Sequence, residues 1–127
     1  MVKKTKKDVG NEGELIAVEF LKKNGYKILQ LNYTCNIGEI DIIARHKNIL
    51  VFIEVKTRAS QDFGDPEFAV TKHKRRQIVK TAEFFLSQNR INNMDCRFDV
   101  VAISNFSEGK DSHEIELLVN AFQADGI

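Results

Sequence analysis

A β-hairpin is predicted over residues 38–57, which read GEIDIIARHKNILVFIEVKT. Both strand segments are rich in isoleucine and valine, and a short polar turn joins them. Charged residues nevertheless lie inside them, with Asp41 in the first segment and Glu54 and Lys56 in the second. Moving a carboxylate or an ammonium out of water is costly unless the charge is paired or bound to a metal. These three residues are therefore the first candidates for a functional site.

The segments around this hairpin predict an α/β fold. Apolar residues recur at helical spacing before the hairpin and again after it, and two further β-prone runs follow the second helix. The predicted order is αβββαββ(α), a mixed central sheet flanked by helices. The predicted elements are a helix over Gly13–Asn24, strands over Tyr26–Cys35, Glu39–Arg45 and Ile49–Thr57, a loop over Ser60–Pro66, a helix from an N-cap at Thr71 to Gln88, strands over Phe98–Ile103 and Glu114–Val119, and a short helix over Asn120–Ala124.

Length and composition fit a single globular domain with a real core. The chain has 127 residues, of which 43% are hydrophobic and 29% charged. We assign residues 10–127 to this domain and the lysine-rich residues 1–9 to a flexible basic arm. No apolar run approaches the roughly 20 residues that cross a bilayer, and no signal-peptide pattern is found. We therefore expect a cytoplasmic protein without membrane contact.

Basic residues concentrate in the second predicted helix, although the formal net charge is only +1. Three of them recur at every fourth residue and form one stripe along the helix. Such a run usually marks a solvated face. Because this helix is predicted to begin near the strand ends that carry the acids, we favour binding of nucleic-acid phosphates. The stripe is formed by Lys72, Arg76 and Lys80; Lys74 lies nearer the buried side, and Arg58 extends the surface.

Strand geometry brings the acidic residues of the hairpin together. Side chains alternate across a strand, so Glu54 and Lys56 leave the same face, as do Glu39 and Asp41 on the preceding strand. In a hairpin these two faces can coincide, and Asp41 and Glu54 would then share a cation. Glu39 is expected either to support this site from outside the metal ligands or to form a structural salt bridge.

Helix phase adds a third acid, from the first predicted helix. At about 100° per residue, Glu14 lies beside Leu21 at the margin of the apolar stripe, whereas Glu12 falls on the outer face. A small set of carboxylates without cysteine or histidine suits Mg²⁺, and Mn²⁺ should substitute for it. Lys56 is the lysine placed to orient a water molecule or to offset charge on a phosphate.

Each of these residues also has a plainer interpretation. Glu54 and Lys56 could be a surface ion pair on an edge strand, worth up to ~1 kcal/mol. Asp41 could be a turn or capping group. Asp99, which interrupts a later apolar strand, is expected to form an ion pair with Arg97 or with a lysine of the helix. The three histidines are isolated in the sequence and are expected to be ordinary surface residues.

The order of these groups, Ile40-Asp41 followed by Glu54-Val55-Lys56, resembles the pattern of the PD-(D/E)XK nuclease superfamily. Ile40 stands where that pattern has proline. Further motifs over nearly the whole chain are similar to one branch, the YraN-like endonucleases, which resemble archaeal Holliday-junction resolvases. These motifs are Gly10-x-x-Gly13-Glu14, Gly25-Tyr26, Gly38-Glu39-Ile40-Asp41, Glu54-Val55-Lys56-Thr57-Arg58, Phe63-Gly64, Val70-Thr71-x-x-Lys74 and Arg97-Phe98-Asp99-Val100-Val101.

The resemblance implies a restriction-endonuclease-like fold and a Mg²⁺-dependent nuclease. It implies metal binding by Asp41, Glu54 and the Val55 carbonyl, with Glu14 as a helix-borne acid, directly or through water, and Lys56 as the catalytic lysine. The expected substrate is DNA, including branched or junction DNA, and a homodimer is expected because junction cleavage in related enzymes uses two active sites. Two alternatives stay open: a catalytically silent accessory protein that binds nucleic acid, and a structural ion-pair network in a protein that binds another protein.

Overall fold

The chain forms a five-stranded sheet with two long helices in a computed structural model that describes residues 6–58, 70–104 and 113–123. The predicted loop Ser60–Pro66 lies outside the described residues. No helix within the described ranges is long and apolar enough to cross a membrane. The elements are α1 (Lys6–Lys23), β1 (Lys27–Thr34), β2 (Glu39–His46), β3 (Ile49–Thr57), α2 (Lys72–Gln88), β4 (Cys96–Ser104) and β5 (Glu114–Phe122).

The sheet is mixed, and its strands follow the order β1-β2-β3-β4-β5. The first three strands form an antiparallel meander, β3 and β4 are parallel, and β5 returns antiparallel to β4. A parallel pair requires a crossover connection, and α2 lies in the connection from β3 to β4. The α/β prediction is confirmed, and the arrangement is consistent with a restriction-endonuclease-like core.

Two hydrophobic clusters cover the two faces of the sheet. Strand β3 contributes to both, because its successive side chains point to opposite faces. Val51 and Ile53 pack with Leu21 of α1, whereas Phe52 packs with Phe85 of α2 at a ring-centroid distance of 6.0 Å. Glu54 continues this central strand, which excludes the interpretation of an edge-strand surface pair.

Two predicted boundaries differ from the structure. Helix α1 begins at Lys6, seven residues before the predicted start, and so takes in residues 6–9 of the predicted arm; residues 1–5 lie outside the described part. The predicted helix over 120–124 is wrong in its described portion, because β5 extends to Phe122. Phe122 is buried and stacks on Phe98 with ring centroids 5.0 Å apart, so packing keeps the chain in the sheet.

Candidate active site

Asp41 stands where strands β2 and β3 separate. The two strands pair from His46–Ile49 to Ile42–Ile53, and Asp41 is the next residue of β2. Its Oδ2 atom accepts a hydrogen bond of 2.8 Å from the Val55 N–H. The carboxylate thus takes the acceptor role that a backbone carbonyl would have in the ladder. This bond fixes Asp41 against the strand that carries Glu54.

Glu54 is a carboxylate almost enclosed by the protein, with 7% of its surface exposed. Its Oε1 atom lies 3.9 Å from Lys56 Nζ and 3.8 Å from Lys74 Nζ. Burial and the negative charge of Asp41 together raise the pKa of Glu54 to about 7, and the two lysines oppose the shift. Burial also raises the pKa of Asp41, against the lowering effect of the Val55 hydrogen bond. Two adjacent acids whose pKa values are raised mainly by burial are typical of a functional site.

Glu14 approaches the same pair from helix α1. Its pKa is raised by burial and then by the charge of Asp41, while a side-chain hydrogen bond with Asn32 lowers it. A Cβ atom at the preceding residue, Gly13, would lie only 2.6 Å from Thr57 Cγ2. The absence of a side chain at Gly13 therefore lets α1 approach the end of β3 and brings Glu14 to the acids.

The other predicted acid, Glu39, is exposed at the start of β2. Its negative charge raises the pKa of both Asp41 and Glu14, which places it on the rim of the acidic group. The structure therefore brings Glu14, Glu39 and Glu54 around Asp41. Val55 lies beside these acids, and its N–H donates a hydrogen bond to Asp41 Oδ2.

The predicted basic residues fall into two places. Lys72, Arg76 and Lys80 are exposed on α2 and form the expected stripe. Lys74 is half-buried and turns to Glu54, a contact that the sequence did not predict. Arg58 directly follows β3, and its N–H donates a hydrogen bond of 2.8 Å to the Ile103 carbonyl. The stripe thus starts on the helical turn that also supplies a lysine to the acid pair.

The donor set suits a hard divalent cation. Within the described residues, no three His, Cys, Asp or Glu side chains form a group that encloses a metal ion. Asp41 and Glu54 nevertheless provide oxygen donors side by side, and their mutual repulsion would be relieved by a cation. Mg²⁺ is commonly held by one or two carboxylates and completes its shell with water and substrate phosphate. The residues therefore fit Mg²⁺ or Mn²⁺.

A second polar cluster lies on the other face of the sheet, the face that packs against α1, and was only partly predicted. Asp99, which is fully buried, forms an ion pair with Arg97 at 2.9 Å, as expected. It also accepts hydrogen bonds from the Tyr26 hydroxyl at 2.9 Å and from the Asn120 N–H at 2.8 Å. His46 stacks on Tyr26 with ring centroids 4.3 Å apart, so its assignment as an ordinary surface residue is wrong. Tyr26, His46 and Asn120 are far from Asp99 in the chain, and no local pattern links them to it.

A family model and several relatives match this chain, and all carry the same family description. A family model described as "Uncharacterised protein family UPF0102" matches residues 13–103, a range that includes every acid and lysine of the site. A UPF0102 protein of Caldanaerobacter subterraneus subsp. tengcongensis is 44% identical over 122 residues, covering 96% of this chain and 100% of the relative. One from Caldicellulosiruptor saccharolyticus is 46% identical over 117 residues, covering 92% and 98%. One from Clostridium botulinum is 45% identical over 118 residues, covering 92% and 95%.

Proposed function

The chain belongs to the uncharacterised protein family UPF0102, and we propose that it is a metal-dependent endonuclease that hydrolyses DNA phosphodiester bonds. This is the YraN-like family that the sequence motifs indicated, and that assignment is confirmed. The names of its members state no activity, so the proposal is supported by the site itself. The observation that carries it is the pair of half-buried Asp41 and buried Glu54 on the neighbouring strands β2 and β3, with two lysines beside Glu54.

Each residue of the site would have its own role in phosphodiester hydrolysis. Asp41, Glu54 and the Val55 carbonyl would hold Mg²⁺, with Glu14 next to them, directly or through a water molecule. When bound, this cation polarises a phosphoryl oxygen and lowers the pKa of a water molecule. Lys56, which is half-buried beside Glu54, would donate to an oxygen on which negative charge develops. The exposed stripe of α2 would bind phosphates along the strand.

The proposal also covers the substrate class, the oligomeric state and the cellular location of the protein. Branched or junction DNA is the preferred substrate class, in line with the resemblance to junction resolvases. A homodimer would present two sites to such a substrate. A protein that acts on bacterial DNA would work in the cytoplasm. The size of the purified protein, measured by light scattering with and without junction DNA, tests the dimer.

Cleavage assays test the central claim. Linear, single-stranded and four-way-junction DNA would be incubated with the purified protein in Mg²⁺, Mn²⁺ or EDTA. Glu54→Gln should reduce the rate by at least about 100-fold, because it removes a charge that holds the cation. Glu83→Gln, which changes an exposed acid of α2, is the matched control and should cleave normally. Failure of the unmodified protein to cut any substrate, or equal cutting by Glu54→Gln, would overturn the proposal.

A DNA-binding protein without catalysis is the second candidate. The observation in its favour is that Lys56 and Lys74 already offset the charge of Glu54 without a metal. This candidate expects DNA binding in EDTA that survives Glu54→Gln, with no cleavage under any condition. A gel-shift assay run beside the cleavage assay separates the two candidates.

A further inference from the structure

We propose that the ammonium of Lys74 occupies the cation position in the metal-free protein. There it offsets the charge of the Asp41–Glu54 pair until the metal displaces it. This role presupposes the metal centre proposed above. The sequence assigned Lys74 only to contacts with DNA. Its Nζ atom lies 3.8 Å from Glu54 Oε1, so Lys74 belongs to the group around Asp41 and Glu54 instead.

Charge balance supports this role. The ammoniums of Lys56 and Lys74 offset the charges of the Asp41 and Glu54 carboxylates, while Glu14 and Glu39 add negative charge around Asp41. Both lysines lie within 4 Å of the same oxygen of Glu54. A divalent cation bound by Glu54 would lie close to both ammoniums in a poorly hydrated place, where repulsion between like charges is stronger than in water. One ammonium must therefore move away when the metal binds.

Lys74 is the one that can move. Its side chain is 38% exposed, against 29% for Lys56. Lys56 extends from the central strand β3, where it pairs with Ala102 of β4. Lys74 extends from the first turn of α2, and the four-carbon stem of lysine lets its ammonium swing without backbone motion. The displaced ammonium would then point toward the phosphates bound by the α2 stripe.

The backbone of Lys74 is fixed, so the motion is confined to its side chain. Thr71 caps the helix, and its Oγ1 accepts a hydrogen bond of 3.2 Å from the Lys74 N–H. Arg75 Nε donates a hydrogen bond of 3.0 Å to the Val70 carbonyl and ties the same turn to the residue that precedes the cap. Metal binding and phosphate binding would thus be coupled through one side chain on a rigid turn.

Calorimetric titration of the full chain with Mn²⁺, without DNA, tests this role. Lys74→Met should bind Mn²⁺ about fivefold more tightly or better, because the metal no longer has to break the Lys74–Glu54 pair, and two unit charges ~4 Å apart in water interact by about 1 kcal/mol. Lys80→Met changes an exposed lysine of the same helix and should stay within about twofold of the unmodified protein. Lys74→Arg, which keeps the charge, should also leave the affinity unchanged. Lys74→Gln replaces Lys74→Met if circular dichroism shows that the latter is unfolded.

The outcomes separate this role from the proposed function. Equal Mn²⁺ affinities for Lys74→Met and Lys80→Met would overturn the role of Lys74 and leave the metal centre standing. Absence of Mn²⁺ binding in every variant would overturn the metal centre, and the role of Lys74 with it. A second readout is thermal unfolding, in which Mn²⁺ should raise the Tm of Lys74→Met by more than that of the unmodified protein.

Discussion

Ionised Glu54 lowers the free energy of unfolding, and this effect depends on pH. Burial and the charge of Asp41 raise its pKa from the ordinary value of 4.5 to about 7, so the folded state binds the proton more tightly than the unfolded state. The contribution of this group to stability is therefore fully present below about pH 4.5 and is lost as the pH rises through 7. At pH 8 the ionised Glu54 should cost on the order of 3 kcal/mol in the metal-free protein.

Urea unfolding in EDTA between pH 5 and pH 8 checks this prediction. Glu54→Gln resembles the protonated form, so it should be more stable than the unmodified protein at pH 8, and the difference should shrink toward pH 5. Saturating Mn²⁺ should remove the pH dependence of the unmodified protein, because the cation favours the ionised acid. Parallel pH profiles for the two proteins would contradict the prediction.

The buried Asp99 and the half-buried Asp41 should respond in opposite ways to replacement by asparagine. Asp99→Asn removes the charge that pairs with Arg97 and should cost ~3–5 kcal/mol of unfolding free energy. Asp41→Asn keeps an oxygen that can accept from the Val55 N–H and relieves repulsion with Glu54, so it should be neutral or stabilising in EDTA at pH 8. Chemical denaturation of both variants measures the contrast. A similar loss in both would show that Asp41 is a structural residue.

The helix that carries Glu14 depends on the missing side chain of Gly13. Gly13→Ala places a Cβ atom against Thr57 Cγ2, so α1 must shift and Glu14 with it. A displacement of Glu14 from the metal centre should lower cleavage by roughly tenfold. Thr57→Ser removes the Cγ2 atom, so the double variant should recover most of the lost activity. If the double variant cleaves no better than Gly13→Ala, the contact with Thr57 is not the cause.

At the level of elements, periodicity predicted the helices and strands, whereas tertiary contacts decided several ends. The start of α1 was missed because residues 6–12 contain a single apolar residue, Val9. The end of β5 was missed because Asn120 adopts a positive φ of 55° and the register with β4 shifts there, which interrupts the alternation. Strand alternation and helix phase anticipated the neighbours of Asp41. The contact of Lys74 with Glu54 depends on where α2 starts over the sheet, and no local pattern contains that information.

For the whole molecule, DNA affinity should depend on a local surface, since the net charge is only +1. Replacing Lys72, Arg76 and Lys80 by Gln should reduce the slope of log K against log salt by ~0.9 for each phosphate that the stripe no longer neutralises. The Mn²⁺ affinity and the Tm should stay unchanged, because the three side chains are exposed.

A control for overall charge uses three exposed lysines elsewhere. Replacing Lys22, Lys23 and Lys27 by Gln removes the same charge from α1 and β1. Fluorescence anisotropy with a labelled duplex at several salt concentrations compares the two triple variants. Equal slopes would show that the α2 stripe is an ordinary solvated face and that DNA binds elsewhere.

The hydrogen bond from Val55 to Asp41 gives the molecule an internal reporter. The amide proton of Val55 points at one of the two carboxylates, so its NMR frequency responds to the charge that this carboxylate carries. Protonation, arrival of a cation and departure of a nearby ammonium should each shift that single resonance by a different amount. The state of the whole centre can therefore be followed at one nucleus, in the native sequence and without any substrate.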